Sequence, residues 1–327
     1  MSEYSKLLHA FAMKKIGIFA IMRRLGQFLG FLFLAPVIFV ISILPFRILY
    51  VISDFFYFLI YRVVGYRKAV VRKNLSLAFP EKTEEERLDI ERKFYRHLAD
   101  LFLEMIKSFG ISQEAMSRRF RIENPEVLEN IYNAGKSVIV YGGHQGNWEW
   151  VIGTRNQLKH RPMAIYKQLA NPFMNRFMLR TRTKFGFDFV PTFRARNYID
   201  EKEKAGEKTA YGFLGDQNPL PHKAKLWYPF FGHDVPAYTG AEEIAKTYDI
   251  PIVFLEIVKA KRGHYRAKLR PLALQPKEYP DFQITERYFY LLEESIRRQP
   301  EMYYWIHRRF KHTPHAEHYK NRLKKFD

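Results

Sequence analysis

The longest apolar stretch of the chain is 28–46, nineteen residues without a charge. Wound as a helix, such a run is just long enough to cross a bilayer core. A second apolar run, 48–61, follows Arg47 and is interrupted only by Asp54. Pro36 and Pro45 are expected to kink or end helices here. Residues 1–27 carry Lys6, Lys14, Lys15, Arg23 and Arg24 against a single acid, Glu3. That basic flank predicts a cytoplasmic N-terminus for a spanning run. The run is too long, and starts too late, for a cleaved signal peptide. Residues 1–65 therefore read as a basic flank and a membrane anchor. A transbilayer helix and a hairpin lying in the interface both fit the pattern, and a pair of buried core helices is the bland alternative.

Beyond Pro80 the period changes. Thr83 and Glu86 have the spacing of a capping box, and the apolar positions Leu88, Ile90, Phe94, Leu98, Leu101, Leu103, Ile106 and Phe109 predict a helix that Gly110 ends. After residue 120 short apolar runs alternate with helical patterns. Strands are predicted at 138–141, 163–166, 187–190, 210–214, 252–258 and 265–269. Helices are predicted at 147–158, 171–184, 197–204, 240–246 and 285–297. This alternation predicts an α/β fold with a central mixed sheet flanked by helices. No linker or repeat divides 66–327, which reads as one domain.

Charge narrows the partners. With 54 basic and 34 acidic residues the formal net charge is +20, a field that attracts nucleic acid, anionic headgroups or an acidic carrier protein. Aromatic residues make up 17%, which suits a membrane interface and also stacking on single-stranded nucleic acid. The chain has no cysteine, which excludes disulfides, thiolate metal sites and a cysteine nucleophile.

Two predicted strands end in glycine followed by polar groups: Gly142-Gly-His144 and Gly215-Asp216-Gln217. In α/β sheets, ligands gather at such carboxyl ends. Glu149 lies five residues past His144. On a continuous helix the two would be about 140° apart and unable to touch. A turn at Gly146, with a helix starting near Asn147 as its cap, would let Glu149 reach back to the imidazole as its orienting carboxylate. The bland reading is a His–Glu pair that merely caps a helix. A nucleophile elbow does not accompany the pair, so a nucleophile would come from substrate.

The segment His144-Gln-Gly-Asn-Trp-Glu149 resembles the H-x4-D/E motif of the lysophospholipid acyltransferase superfamily, and more closely the H-x-G-N-W-E form of the lipid A biosynthesis (lauroyl/myristoyl) acyltransferases. Other blocks are similar in the same order: Arg72-Lys-Asn-Leu-Ser-Leu-Ala-Phe-Pro80; Tyr166-Lys167 with Asn171-Pro172 and Arg182 to Gly186; Asp216-Gln217-Asn218; Tyr228-Pro-Phe-Phe-Gly232 with Pro236 and Thr239; and Pro300-Glu-Met-Tyr-Tyr-Trp305-Ile-His307-Arg-Arg309. The resemblance spans about residues 20–312. Two positions depart from the family pattern. Lys167 stands where Arg is usual, keeping the charge without the bidentate fork, and Tyr303-Tyr304 replaces Gln-Trp.

The resemblance implies a glycerolipid acyltransferase-like fold and O-acyl transfer from a thioester, on acyl carrier protein or coenzyme A, to a hydroxyl of a lipid A precursor. It implies His144 as general base oriented by Glu149, with Asn147, Lys167, Arg182, Asp216 and Gln217 as substrate-binding residues. Backbone N–H groups of 142–145 and the Arg182 guanidinium are both candidates for oxyanion stabilisation. For Asp216 a strand-end cap, and for Arg182 a solvated helix face, are the bland readings. The implied partners are an acidic carrier protein, a phosphorylated lipid acceptor and the cytoplasmic face of a bacterial inner membrane, with no bound cofactor and no nucleic acid. Another acceptor, such as an aminolipid, ornithine lipid, glycolipid or lysophospholipid, fits the same motifs. A non-enzymatic membrane-associated nucleic-acid binder fits composition alone. His307, His312, His315 and His318 are interrupted by Pro314 in a charged segment and predict a surface tail, not a metal site.

Overall fold

The computed structural model describes residues 3–323. Met1, Ser2 and 324–327 lie outside them, as do the side chains of Lys6, Lys14 and Lys15, on which the basic flank partly rests. Helix α1 (Glu3–Ile43) contains the apolar segment Met22–Ile43, of mean hydropathy 2.2 and almost wholly exposed. Pro36 sits inside α1, not at its end. A proline removes one backbone hydrogen bond, and the turns on either side keep the remainder. Pro45 does break the helix, and α2 (Phe46–Tyr57) follows and widens into a π-helical turn, Phe58–Val63. At Gly65 and Arg67, both at positive φ, the chain bends by 87° into α3 (Lys68–Ala78).

Helix α4 (Glu84–Lys107) opens with the expected capping box between Thr83 and Glu86. One face of α4 carries polar residues that bind the preceding segments. The Lys107 ammonium donates to the carbonyls of Ser42 and Leu44 at 2.7 and 2.6 Å, closing the end of α1. The Ser53 hydroxyl donates to Asp100 at 2.7 Å, and the Tyr50 hydroxyl to Glu104 at 2.8 Å. Arg262 bridges Asp54 and Asp100. Helix α2 is thus fixed to the body of the protein by side-chain hydrogen bonds.

The remaining chain alternates: α5 (Gln113–Ser117), β1 (Phe120–Ile122), α6 (Glu126–Asn133), β2 (Val138–Gly142), a 3-10 helix (Trp148–Gln157), β3 (Arg161–Tyr166), α7 (Pro172–Thr183), β4 (Asp188–Pro191), α8 (Ala195–Lys204) and β5 (Thr209–Leu214). A hairpin of β6 (Leu226–Phe230) and β7 (His233–Ala237), then α9 (Gly240–Tyr248), β8 (Ile252–Lys261), β9 (His264–Ala273), α10 (Gln283–Arg298) and α11 (Ala316–Leu323) complete it. Seven strands form one mixed sheet in the order β1-β9-β8-β2-β5-β3-β4, antiparallel only between β8 and β9. The strands carry side chains on alternate faces. Ile139, Tyr141, Met163, Tyr211 and Phe254 pack in one core with α3, α4, α9 and α10. Val138, Ala210, Val253 and Leu255 pack in the other, with Trp150 and Ile152 of the 3-10 helix.

Helix α1 also meets α7. Gln27 donates to the carbonyl of Ala170, Asn171 donates to that of Gln27, and Phe28 and Phe31 pack against Phe173. The apolar helix therefore begins beside the start of α7, whose other end carries Arg182.

Candidate active site

Strands β2 and β5 are parallel neighbours, and their register pairs Gly142 with Leu214. Two residues past each partner stand His144 and Asp216. The shared register delivers the two side chains to the same place, and His144 Nδ1 lies 2.7 Å from Asp216 Oδ1. Between them, glycines permit the approach. A Cβ on Gly215 would fall 2.1 Å from the Tyr141 hydroxyl oxygen. Asp216 is almost fully buried and His144 retains a fifth of its exposure.

An ionised carboxylate can only accept, so Nδ1 carries the proton of the neutral ring and Nε2 presents its lone pair outward. The Gln217 amide nitrogen sits 3.3 Å from that Nε2. Burial disfavours the charged ring, but the Asp216 charge and hydrogen bond, with a contribution from Glu149, outweigh it and raise the His144 pKa above 6.5. Burial likewise works against ionised Asp216. The hydrogen bonds from His144 and the charges of His144 and Arg309 prevail and hold its pKa below the usual value.

The backbone between His144 and Glu149 turns as the glycine spacing predicts: Gly146 adopts φ +61°, and a 3-10 helix starts at Trp148 with Asn147 as its cap, accepting from the Trp150 N–H. The expected contact does not follow. Glu149 accepts from Arg182 Nη2 through both oxygens, at 2.8 Å each, and Asp216 takes the imidazole. The physical reason is position. Asp216 leaves the neighbouring strand level with His144, whereas the first turn after Asn147 aims Glu149 at α7. Arg182 is accordingly an ion-paired, largely buried side chain rather than a solvated helix face.

The other expected substrate-binding residues separate. Gln217 is half-buried at the imidazole, and Lys167 is exposed at the end of β3. Asn147 is fully buried, its amide donating to Glu104 at 2.7 Å. The Trp150 N–H and the Glu104 carboxylate occupy both ends of its amide, so neither end is turned to a substrate in this structure. Of the proposed oxyanion donors, the His144 N–H serves Asp216 and the Gln145 N–H serves the Gly143 carbonyl. Among the described residues, Arg182 Nε is buried without a hydrogen-bond partner.

His144, Glu149, Lys167 and Arg182 line the polar end of an apolar cavity of about 320 Å³ that runs beneath the 3-10 helix and α7, over the sheet. Ala164 and Ala210 leave room over the central strands, and Phe120, Leu128 and Leu269 line it toward β1. Sequence reasoning missed this space. Its walls come from strands and helices far apart in the chain, and the small residues that open it carry no signal of their own.

A His–Asp pair at adjoining strand ends, with the His lining an apolar cavity, is an arrangement able to accept a proton from a bound group. The profile of the family described as bacterial lipid A biosynthesis acyltransferase matches residues 17–312, and the chain belongs to that family and is an acyltransferase. It is 27% identical over 256 residues to the lipid A biosynthesis palmitoleoyltransferase of Escherichia coli K12, covering 77% of this chain and 81% of that protein. The lipid A biosynthesis lauroyltransferase of the same strain is 23% identical over 275 residues, covering 83% and 88%. A lipid A biosynthesis acyltransferase of Haemophilus influenzae is 25% identical over 256 residues, covering 76% and 78%.

Proposed function

We propose that this protein moves a fatty acyl chain from the thioester of acyl carrier protein to a hydroxyl of a lipid A precursor at a membrane surface. The observation that carries the reading is the outward-facing Nε2 of His144, a ring held at Nδ1 by Asp216 and lining an acyl-sized apolar cavity. The acyl chain lies in the cavity and its thioester carbonyl rests at the mouth. His144 Nε2 takes the proton of the acceptor hydroxyl as its oxygen attacks the carbonyl carbon. The tetrahedral oxyanion collapses, the C–S bond breaks, and the imidazolium returns the proton to the departing thiolate. The products are an ester and the free thiol of the carrier.

In this reading Asp216 orients His144 and stabilises the imidazolium. Glu149 acts one step away: it fixes Arg182, whose guanidinium faces the developing oxyanion. Lys167, exposed at the mouth, meets a phosphate of the acceptor. The net charge of +20 favours an acidic carrier and an anionic leaflet. Helix α1, long and apolar enough to cross a bilayer and packed on α7, holds the mouth near that leaflet.

The test is transfer in vitro, with a series of acyl-carrier-protein donors and lipid A precursors alongside aminolipid and lysophospholipid acceptors. His144→Ala is expected to abolish ester formation with the fold retained. Transfer only to another acceptor would overturn the lipid A assignment, and full activity of His144→Ala would overturn the mechanism.

A further inference from the structure

The buried face of α4 does more than hold α2. Four contacts run from it to the turn that carries the catalytic histidine. His97, fully buried, lies with Nε2 3.2 Å from the Gly146 carbonyl. Burial and then Lys259 lower the His97 pKa to about 3, so its ring is neutral and Nε2–H is the donor. The Asn147 amide donates to Glu104 Oε2 at 2.7 Å. The Trp150 indole N–H is shared between the Glu104 carbonyl and the Ser108 hydroxyl, at 3.0 and 3.1 Å. Residues 97, 104 and 108 recur at helical spacing, so one rigid face meets 146, 147 and 150 together.

Glu104 is the centre of this contact. Its side chain is inaccessible to solvent, and three donors converge on it: Tyr50 on Oε1, and Asn147 and Tyr265 on Oε2. A buried carboxylate costs heavily unless its lone pairs are satisfied, and here each oxygen is. Burial and the nearby Asp100 raise its pKa to about 7, against the pull of the Tyr265 and Tyr50 hydrogen bonds and Lys259. The reaction derived above does not use this group, which touches neither the cavity nor the imidazole. What it holds is Asn147. That residue uses its amide nitrogen on Glu104 and its amide oxygen on the Trp150 N–H, so the cap of the 3-10 helix is locked in one orientation. The direction of Glu149, two residues on, depends on that cap.

We propose that Glu104 is a positioning residue of the acyl-transfer site: through Asn147 it sets the turn between His144 and Glu149, and through Tyr50 it ties that turn to α2. The inference rests on the acyltransfer reading for its kinetic consequence, but its structural content is independent of it. A displacement of about 1 Å in reacting groups costs on the order of 100-fold in rate without weakening binding to match.

A donor–acceptor exchange tests it. In the full-length protein, Asn147→Asp sets two carboxylates against each other, and Glu104→Gln removes the acceptor charge. In the double variant Glu104→Gln/Asn147→Asp, the new amide donates to the new carboxylate, whose other oxygen still accepts from Trp150; the Tyr265 hydroxyl, which donated to the same Glu104 oxygen, must turn to accept from the amide, so recovery is large but incomplete. Two measurements are made: kcat and KM for acyl transfer, and amide hydrogen exchange resolved by peptide. Asn147→Asp is expected to lower kcat by about 100-fold at nearly unchanged KM. Exchange should rise over 144–152, including the Gly146 and Trp150 N–H groups, and stay unchanged in β8 and β9. The double variant should recover most of both. A double variant no better than Asn147→Asp, or exchange rising evenly along the chain, overturns the proposal and leaves Glu104 a purely structural group. If the wild-type protein transfers no acyl group, the acyltransfer reading falls by itself. Local protection restored in the double variant then still upholds the coupling, and its absence refutes it.

Discussion

Replacing Asp216 by Asn distinguishes the two carboxylates that compete for the role of histidine partner. The carboxylate accepts from Nδ1 at 2.7 Å in an almost fully buried setting, so no water can take over the contact. An amide in its place presents either N–H or C=O to the ring, and with N–H facing Nδ1 the proton moves to Nε2, where the base is needed. In the Ser-His-Asp arrangement the same change costs about 10⁴ in kcat, or about 5 kcal/mol at 1.36 kcal/mol per decade. The pH dependence carries a second signature. In the proposed reaction neutral His144 is the active form, so its raised pKa predicts that kcat/KM climbs with pH through a value above 6.5. Without Asp216 the chief raising influence is gone while burial remains, so the acid limb should move to lower pH. Steady-state transfer from an acyl-carrier-protein thioester between pH 5 and 9 measures both. The reasoning is refuted if Asp216→Asn keeps activity within about tenfold while Glu149→Gln both abolishes it and moves the acid limb, for Glu149 would then be the partner.

Arg182→Lys keeps the charge but loses the guanidinium whose Nη2 meets both Glu149 oxygens, and kcat should fall about 10²–10³-fold with the acid limb little changed, as removal of an oxyanion donor predicts. Ala164→Leu fills the cavity over β3, so competition among donors of graded length should shift preference to shorter chains. Each methylene forced out costs about 0.8 kcal/mol, roughly fourfold. Gly146→Ala places a Cβ 2.6 Å from Ile257 at a positive φ, and should lower stability by about 1–3 kcal/mol in a thermal or denaturant melt and reduce kcat as well.

Strands β2, β3, β5 and β8 are legible in the sequence because each contains a short apolar run. Their residues 138–142, 161–166, 209–214 and 252–261 fall close to the expected bounds. The gaps have physical reasons. β1 has three residues, too few to show a period, and gains its ladder from β9. The β6–β7 hairpin contains Pro229 and Pro236, which argue against strands except at edges, where this two-stranded sheet has nothing but edges. Within the site, the turn at Gly146 and the cap at Asn147 follow from local spacing. The His144–Asp216 pair does not, because it depends on β2 and β5 being neighbours, and the partners are 72 positions apart in the sequence. A partner five residues away is the one that one-dimensional reading offers.

That substitution of partners changes what the four-residue spacing between His144 and Glu149 is for. A carboxylate meant to touch the imidazole would gain nothing from a helix between them. One meant to reach across to α7 needs the 3-10 turn, which carries it off the strand axis and points it at Arg182. The cavity passes between these two anchoring points, with His144 on the strand side and the Glu149–Arg182 pair on the helix side. In the proposed reaction a thioester carbonyl entering between them would meet both a base and a cation. Helix α7, which carries Arg182, also packs against α1 near Gln27, while Lys107 of α4 holds the far end of α1, so the apolar helix is anchored to both sides of the site.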